Sequence, residues 1–423
     1  YDGDIGRVAV RMPSFLGAVM SLWAVSRLAA RWFSRAAGWM SVLILSSSYL
    51  FWNKGGFGQI DALLCGLEMM ALYFLFTARD SEHADRYIAA YIFMGLAVLA
   101  KGPVGFLIPW GVYIVSSLIA PEPGPSRKSH YLWGPLITLA LPGLWLFMAW
   151  MEGGSAAFFR ELLFDQNAGR LSGEFGGHVK PFYYFLYYFP LDFLPWSLLL
   201  PLSLAALRRA PEYRPGTLRL MAWIGFIVLF FSLSASKRNL YILSAYPAAA
   251  MLVAAGVDRW ALAGDRWMKV SFRVAAGLMS MLALALLIGG FLPHHPAPWY
   301  TLAPGAVLLS IGLWFSWRLH QKDLRARGWL VAMAGGVLGA FACVGALVYP
   351  AIDDEKTPDE MVHVAQELLR PDERIIMYRQ HGEMFSLYAR RMGFMAHDDE
   401  RLVHFLQTSR QENHLIISLE KNL

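Results

Sequence analysis

Residues 87–120, YIAAYIFMGLAVLAKGPVGFLIPWGVYIVSSLIA, hold a single charge, Lys101, in 34 positions. A hydrocarbon core about 30 Å thick is crossed by roughly 20 apolar residues in a helix. The run is too long for one crossing. It is punctuated once, at Lys101-Gly102-Pro103, where glycine and proline end a helix. It therefore reads as two membrane spans, 87–100 and 103–120, the first of them short. The whole chain agrees. Of 423 residues, 57% are hydrophobic and 16% charged, and the mean hydropathy is +0.41, against about 25% charge in an ordinary soluble domain.

The same reading, carried outward, gives ten more spans: 12–30, 37–53, 60–78, 131–151, 181–206, 218–235, 239–256, 270–292, 300–317 and 328–350. The expected fold class is an all-α polytopic membrane protein of about twelve helices. Pro142, Pro190 and Pro195 fall inside spans, where neighbouring helices can satisfy the freed carbonyls. One set of connecting loops carries nineteen lysines and arginines, including Arg27, Arg31, Arg127, Arg208, Arg259 and Arg327. The opposite set carries seven: Lys54, Lys101, Arg160, Arg170, Lys180, Lys237 and Arg238. The positive-inside rule makes the first set cytoplasmic, so both chain ends are expected outside. The net charge of +6 then reflects membrane topology, and no nucleic-acid partner is expected.

Residues 352–423 break the pattern, with frequent charges and no run able to span. Met361–Leu369 and Met384–Arg391 have helical spacing, while Arg374–Tyr378 and His414–Leu419 read as strands. Alternation of that kind predicts a small α/β domain. The domain expectation is a transmembrane unit over 1–351 and an extracytoplasmic C-terminal domain over 352–423. Cys65 and Cys343 both lie in apolar runs and suggest neither disulfide nor zinc.

Chemistry is sought on the outward face. The loop Glu152–Lys180 holds Arg160, Glu161, Asp165, Asn167, Arg170, Glu174, His178 and Lys180. A loop of such length is commonly functional, though a solvated connector is the plain alternative. Lys101, at a helix end near the membrane surface, suits a phosphate or simple snorkelling. Ser236-Lys237-Arg238-Asn239 with Tyr241 could hold a phosphate or pyrophosphate, or anchor in headgroups. Asp61 could cap its helix or act on substrate. Glu68 and Asp192 lie within spans, where burial beside a polar partner is the expectation. His294-His295 is a weak metal signal. Together these cations and carboxylates suit an anionic lipid held at the interface and acid/base work on a hydroxyl.

At these residues the sequence resembles the lipid-carrier-dependent glycosyltransferases of the GT-C class. The resemblance is to bacterial aminoarabinose transferases and their relatives near the protein O-mannosyltransferases. The matching pieces run in order: Arg11-Met12-Pro13-Ser14; Asp61; Leu99-Ala100-Lys101-Gly102-Pro103-Val104-Gly105; Asn167-Ala168-Gly169-Arg170 with His178-Val179-Lys180-Pro181-Phe182-Tyr183-Tyr184; Leu194-Pro195-Trp196; and Phe231-Ser232 through Ser236-Lys237 to Tyr241-Ile242-Leu243. The resemblance implies an inverting transfer of one sugar from a polyprenyl-phosphate donor to lipid A, a glycan or a protein at the periplasmic face of a bacterial inner membrane. It implies that Lys101, Arg170, Lys237, Arg238 and Tyr241 hold the donor phosphate. Asp61 would have a supporting catalytic role, and Asn167 and His178 would serve the loop and acceptor.

Two departures qualify it. The family's first span and its acidic loop, source of the presumed main carboxylate, are expected upstream of Tyr1, so twelve of thirteen helices are expected here. Family members often have His where Asn167 stands, so no bound zinc and no cofactor are expected. A monomer is expected, and a transporter or flippase of a lipid-linked sugar is the alternative; it would need inverted repeats and mid-membrane polar residues.

Overall fold

The structure is a computed structural model. It describes residues 7–78, 84–122, 129–160, 162, 180–263, 266–289, 299–321 and 326–351, with 367, 374–378, 394–396, 402–403, 405–406 and 414–417 in the C-terminal part. It divides into two compact units, 1–284 with 306–341 and 285–305 with 342–423.

Among the described residues each of the twelve expected segments contains helix, and several of these helices are long and apolar enough to span, which makes this a multi-pass membrane protein. Among the described residues, seven helices are long and apolar enough to cross a membrane unaided, or eight if one bent pair counts as a single span. Three of the remaining segments fall short for visible reasons. The run 37–53 is two helices, α2 (Arg35–Ser46) and α3 (Tyr49–Gly56). Between them the Ser47 and Ser48 hydroxyls donate back to the carbonyls of Leu43 and Ile44, at 2.5 and 2.7 Å, side-chain competition that bends or ends helices. The helix α5 (Ala84–Lys101) carries Asp85, Arg86 and Lys101 at its ends. The run 181–206 is a bent pair, Tyr184–Asp192 and Trp196–Arg208, at 106°.

Helix α1 (Arg7–Trp32) packs on α4 (Ile60–Thr77) at backbone distance. A Cβ at Gly17 would lie 2.2 Å from the Ala62 carbonyl oxygen, and one at Gly66 would lie 2.3 Å from that of Gly17. Membrane helices associate through such close packing, because lipid tails are as apolar as the side chains. A similar crossing joins α5 to α6 (Val104–Ile119), where Gly105 sits against the backbone of Ala97. Outward, α7 (His130–Met151) exposes Leu132, Leu136, Leu139 and Leu144, an apolar row suited to lipid rather than water.

The first unit is also fastened by a buried ionic cluster. Glu122 accepts from Trp32 Nε1 at 2.7 Å and from Arg31 Nη2 at 3.2 Å, and pairs with Arg219 Nη1 at 3.1 Å. Arg219 also donates to the carbonyls of Ala120 and Pro121, each at 2.8 Å. Nearby in character, Asp258 accepts from Arg327 at 2.7 Å and from Ser34 Oγ at 2.5 Å.

In the second unit Leu302 packs on Val348, with Val344 against them. Three strands, β1 (Arg374–Tyr378), β2 (Phe394–Ala396) and β3 (His414–Ile417), form a parallel sheet in the order β2-β1-β3. The first and third lie where strands were expected. The second was not anticipated: three residues are too few to show alternation. The expected helices at 361–369 and 384–391 lie outside the described residues, apart from Glu367.

Candidate functional site

The site is built from the ends of four short sequence stretches. Asp61 lies in the first turn of α4, two residues past the cap position, which Gln59 occupies. A carboxylate is favoured there by the helix dipole. The loop before it is held by Ser14 Oγ, which donates to the Gln59 carbonyl at 2.7 Å. Capping therefore does not account for Asp61, whose carboxylate turns to a lysine forty residues on.

That lysine is Lys101, the last residue of α5. Gly102 follows at φ +75°, a left-handed conformation that glycine adopts without a Cβ penalty. Its N–H bonds back to the Val98 carbonyl at 2.7 Å. The Lys-Gly-Pro sequence thus ends one helix and starts the next within three residues, and leaves the lysine at the dipole's negative end. Lys101 Nζ forms an ion pair with Asp61 Oδ1, with side chains 18% and 11% exposed. It also lies 5.4 Å from the centroid of the Tyr241 ring, within cation–π range. The other Asp61 oxygen has no hydrogen-bond partner among the described residues.

Tyr241 stands on a 3₁₀ helix, Asn239–Ala245. Just before it, Arg238 is exposed and Lys237 is buried, 4% exposed. Lys237 Nζ donates to the carbonyls of Lys180, at 3.0 Å, and of Ser234. This lysine therefore ties the segment to the exit of the long loop. Burial holds its ammonium pKa below the ordinary lysine value. Asn239 donates to Asp192 Oδ2 at 3.0 Å, so Asp192 has the polar partner expected of it. So does Glu68, which accepts from Ser244 Oγ.

Sequence reasoning did not single out Lys54. At the end of α3, half buried, its ammonium is pushed below the ordinary value first by desolvation, while Asp61 and Asp192 raise it and Arg238 lowers it. Those charges place Lys54 among the site residues. Its signal was present, as one of seven outward cations. Arg170, Asn167 and His178 lie outside the described residues. The structure thus brings Asp61, Lys101 and Tyr241 into contact, sets Lys54 and Arg238 in their electrostatic neighbourhood, and gives Lys237 two carbonyls.

What such a constellation can do is bind an anion beside a carboxylate at helix ends, in a polytopic helical frame. A family model described as dolichyl-phosphate-mannose-protein mannosyltransferase matches residues 3–150, the stretch that holds Asp61 and Lys101. The fold is shared with a solved structure, ArnT from Cupriavidus metallidurans bound to undecaprenyl phosphate. The TM-score is 0.79 at 21% identity, over 97% of this chain and 76% of that one. The same protein in its apo state gives 0.74.

Two curated relatives are undecaprenyl phosphate-alpha-4-amino-4-deoxy-L-arabinose arabinosyl transferases. That of Aeromonas hydrophila is 28% identical over 388 residues, 86% of this chain and 66% of that protein. That of Aeromonas salmonicida is 27% identical over 94% of this chain and 73% of that one. The chain thus spans just under two thirds of the first relative's length. The resemblance to GT-C, ArnT-like glycosyltransferases implied by the motifs is upheld by the family model and the curated relatives, and the solved structures share the fold.

Proposed function

We propose that the protein is a glycosyltransferase that moves a sugar from a polyprenyl-phosphate donor to an acceptor hydroxyl at the outer, periplasmic face of a bacterial inner membrane. The observation that carries this reading is the Asp61–Lys101 ion pair over Tyr241, formed at helix ends by residues of the motifs that carry the resemblance. The acceptor oxygen attacks the anomeric carbon, its proton passes to a carboxylate, and the lipid phosphate leaves with the bonding pair. The sugar is inverted at that carbon.

In this reading Lys101, Lys237, Arg238 and Arg170 offset charge on the leaving phosphate, aided by the Tyr241 hydroxyl. Preorganised cations of this kind supply electrostatic stabilisation where charge develops. The carboxylate of Asp61 holds Lys101 in place through their ion pair, and its second oxygen can assist the acceptor. Asn167 and His178 belong to a loop that meets donor or acceptor. Twelve spans place both chain ends outside, with residues 352–423 an extracytoplasmic α/β domain. The protein works as a monomer and without a metal, and its acceptor is lipid A, a glycan or a protein.

Membranes containing the full-length protein are expected to transfer labelled sugar from the polyprenyl-phosphate donor. Lys101→Ala and Lys237→Ala should each lower transfer by about tenfold or more, the effect of one charge-assisted bond. Unchanged transfer in both variants would refute the roles. Donor flipping in vesicles without transfer would favour a flippase.

A further inference from the structure

The carboxyl of Glu68 lies outside the proposed chemistry, buried to 1% exposure. It falls seven residues after Asp61, two turns along α4, so both side chains share one face of that helix. Opposite stands the 3₁₀ helix Asn239–Ala245, seven residues long. In 3₁₀ geometry residues three apart eclipse, and runs beyond three or four residues are uncommon because the hydrogen bonds are poor. Tyr241 and Ser244 are three apart, so they too share a face.

Two rungs therefore join the elements. At the N-terminal end of α4, Tyr241 meets Lys101, which is paired to Asp61. Deeper, the Ser244 hydroxyl donates to Glu68 Oε2. The Ser244 carbonyl accepts from Trp223 Nε1 at 3.0 Å, so this one residue is held by two helices. A 3₁₀ run of this length persists when its surroundings hold it: Asn239 is tied to Asp192 at its start, and Ser244 to Glu68 and Trp223 near its end.

We infer that Glu68 is a positioning residue: its bond to Ser244 clamps the 3₁₀ segment so that Tyr241 and the preceding cations face Asp61 and Lys101. Its consequence for catalysis rests on the glycosyltransferase reading; the clamp itself does not. Glu68→Gln keeps an oxygen that can accept from Ser244, whereas Glu68→Leu and Ser244→Ala remove the bond.

The test uses full-length protein in detergent or nanodiscs, with two readouts. In the first, amide hydrogen exchange over 239–245 should speed up in Glu68→Leu and Ser244→Ala by about tenfold. It should stay near wild type in Glu68→Gln, with α1 and α7 unchanged in all. In the second, KM for a polyprenyl-phosphate sugar donor should rise about tenfold in Glu68→Leu, more than kcat falls, and Glu68→Gln should rescue it. Unchanged exchange over 239–245, or faster exchange throughout the first unit, overturns the clamp. Faster local exchange with an unchanged KM overturns the positioning role. If the wild type transfers no sugar, the glycosyltransferase reading fails and exchange alone decides the clamp.

Discussion

Replacing Lys101 by methionine removes an ammonium while keeping most of the side chain's volume. Asp61, 9% exposed, is left without its counter-charge. Stranding one member of a fully buried pair costs about 3–5 kcal/mol. Here the partners are 18% and 11% exposed, so some solvent screening remains and about 2–3 kcal/mol is the expected loss. With an unfolding entropy of about 2.1 cal/mol/K per residue, a chain of 423 residues should melt about 3 °C lower. The double variant Asp61→Asn/Lys101→Met has no stranded charge and should recover most of that loss. Its sugar transfer should stay at least about tenfold down, since the phosphate has lost a cation.

Thermal unfolding of purified protein reads the first quantity and transfer in membranes the second. If the double variant melts no higher than Lys101→Met, the two residues are not energetically coupled and the site described above is wrong at its centre. If it melts higher and transfers normally, the ion pair is structural only.

Gly66→Val should sharply lower folded yield in membranes, measured by size-exclusion recovery. Its Cβ would lie 2.3 Å from the Gly17 carbonyl oxygen, and overpacking typically costs about 1–3 kcal/mol, occasionally more. Arg219→Leu should lower the melting temperature by several degrees, because Arg219 serves Glu122 and two carbonyls in a dry setting. Arg259→Leu should change it little: its pair with Glu212 is 4.0 Å long and exposed, and such pairs contribute about 0–1 kcal/mol.

Lys237 yields a pH signature. Its folded pKa is lowered, so at alkaline pH the unfolded chain binds more protons than the folded one. Stability from this group therefore rises with pH through that window, while the ammonium's charge is lost. Transfer should fall on the alkaline side before an ordinary lysine would titrate, and Lys237→Arg should move that limb upward in a pH–rate profile.

Much of the fold was legible because lipid forces backbone bonds to close within each segment, leaving apolar run length as a sufficient signal. The Lys-Gly-Pro junction was legible for the same reason: glycine at positive φ and proline are local devices. Pairing was not legible. Lys101 meets Asp61 across 40 residues and Ser244 meets Glu68 across 176, and periodicity carries no information on which helix faces which. The break of 37–53 was missed because its agents, Ser47 and Ser48, are small enough to pass as apolar-span residues. Lys237 looked like a surface cation, and only the structure gives it two carbonyl partners.

The pairing of Glu68 has a consequence for biogenesis. Ribosomes add about 5–20 residues per second, and Ser244 is synthesised 176 residues after Glu68. For about 10 to 35 s the nascent α4 holds a carboxyl whose serine has not yet been made, and a carboxylate at a helix centre costs about 2.5–3.5 kcal/mol on insertion. Its neighbour α1, seated on Gly17 and Gly66, is already synthesised at that moment. The carboxyl-bearing helix therefore enters the bilayer well before the segment it will clamp exists.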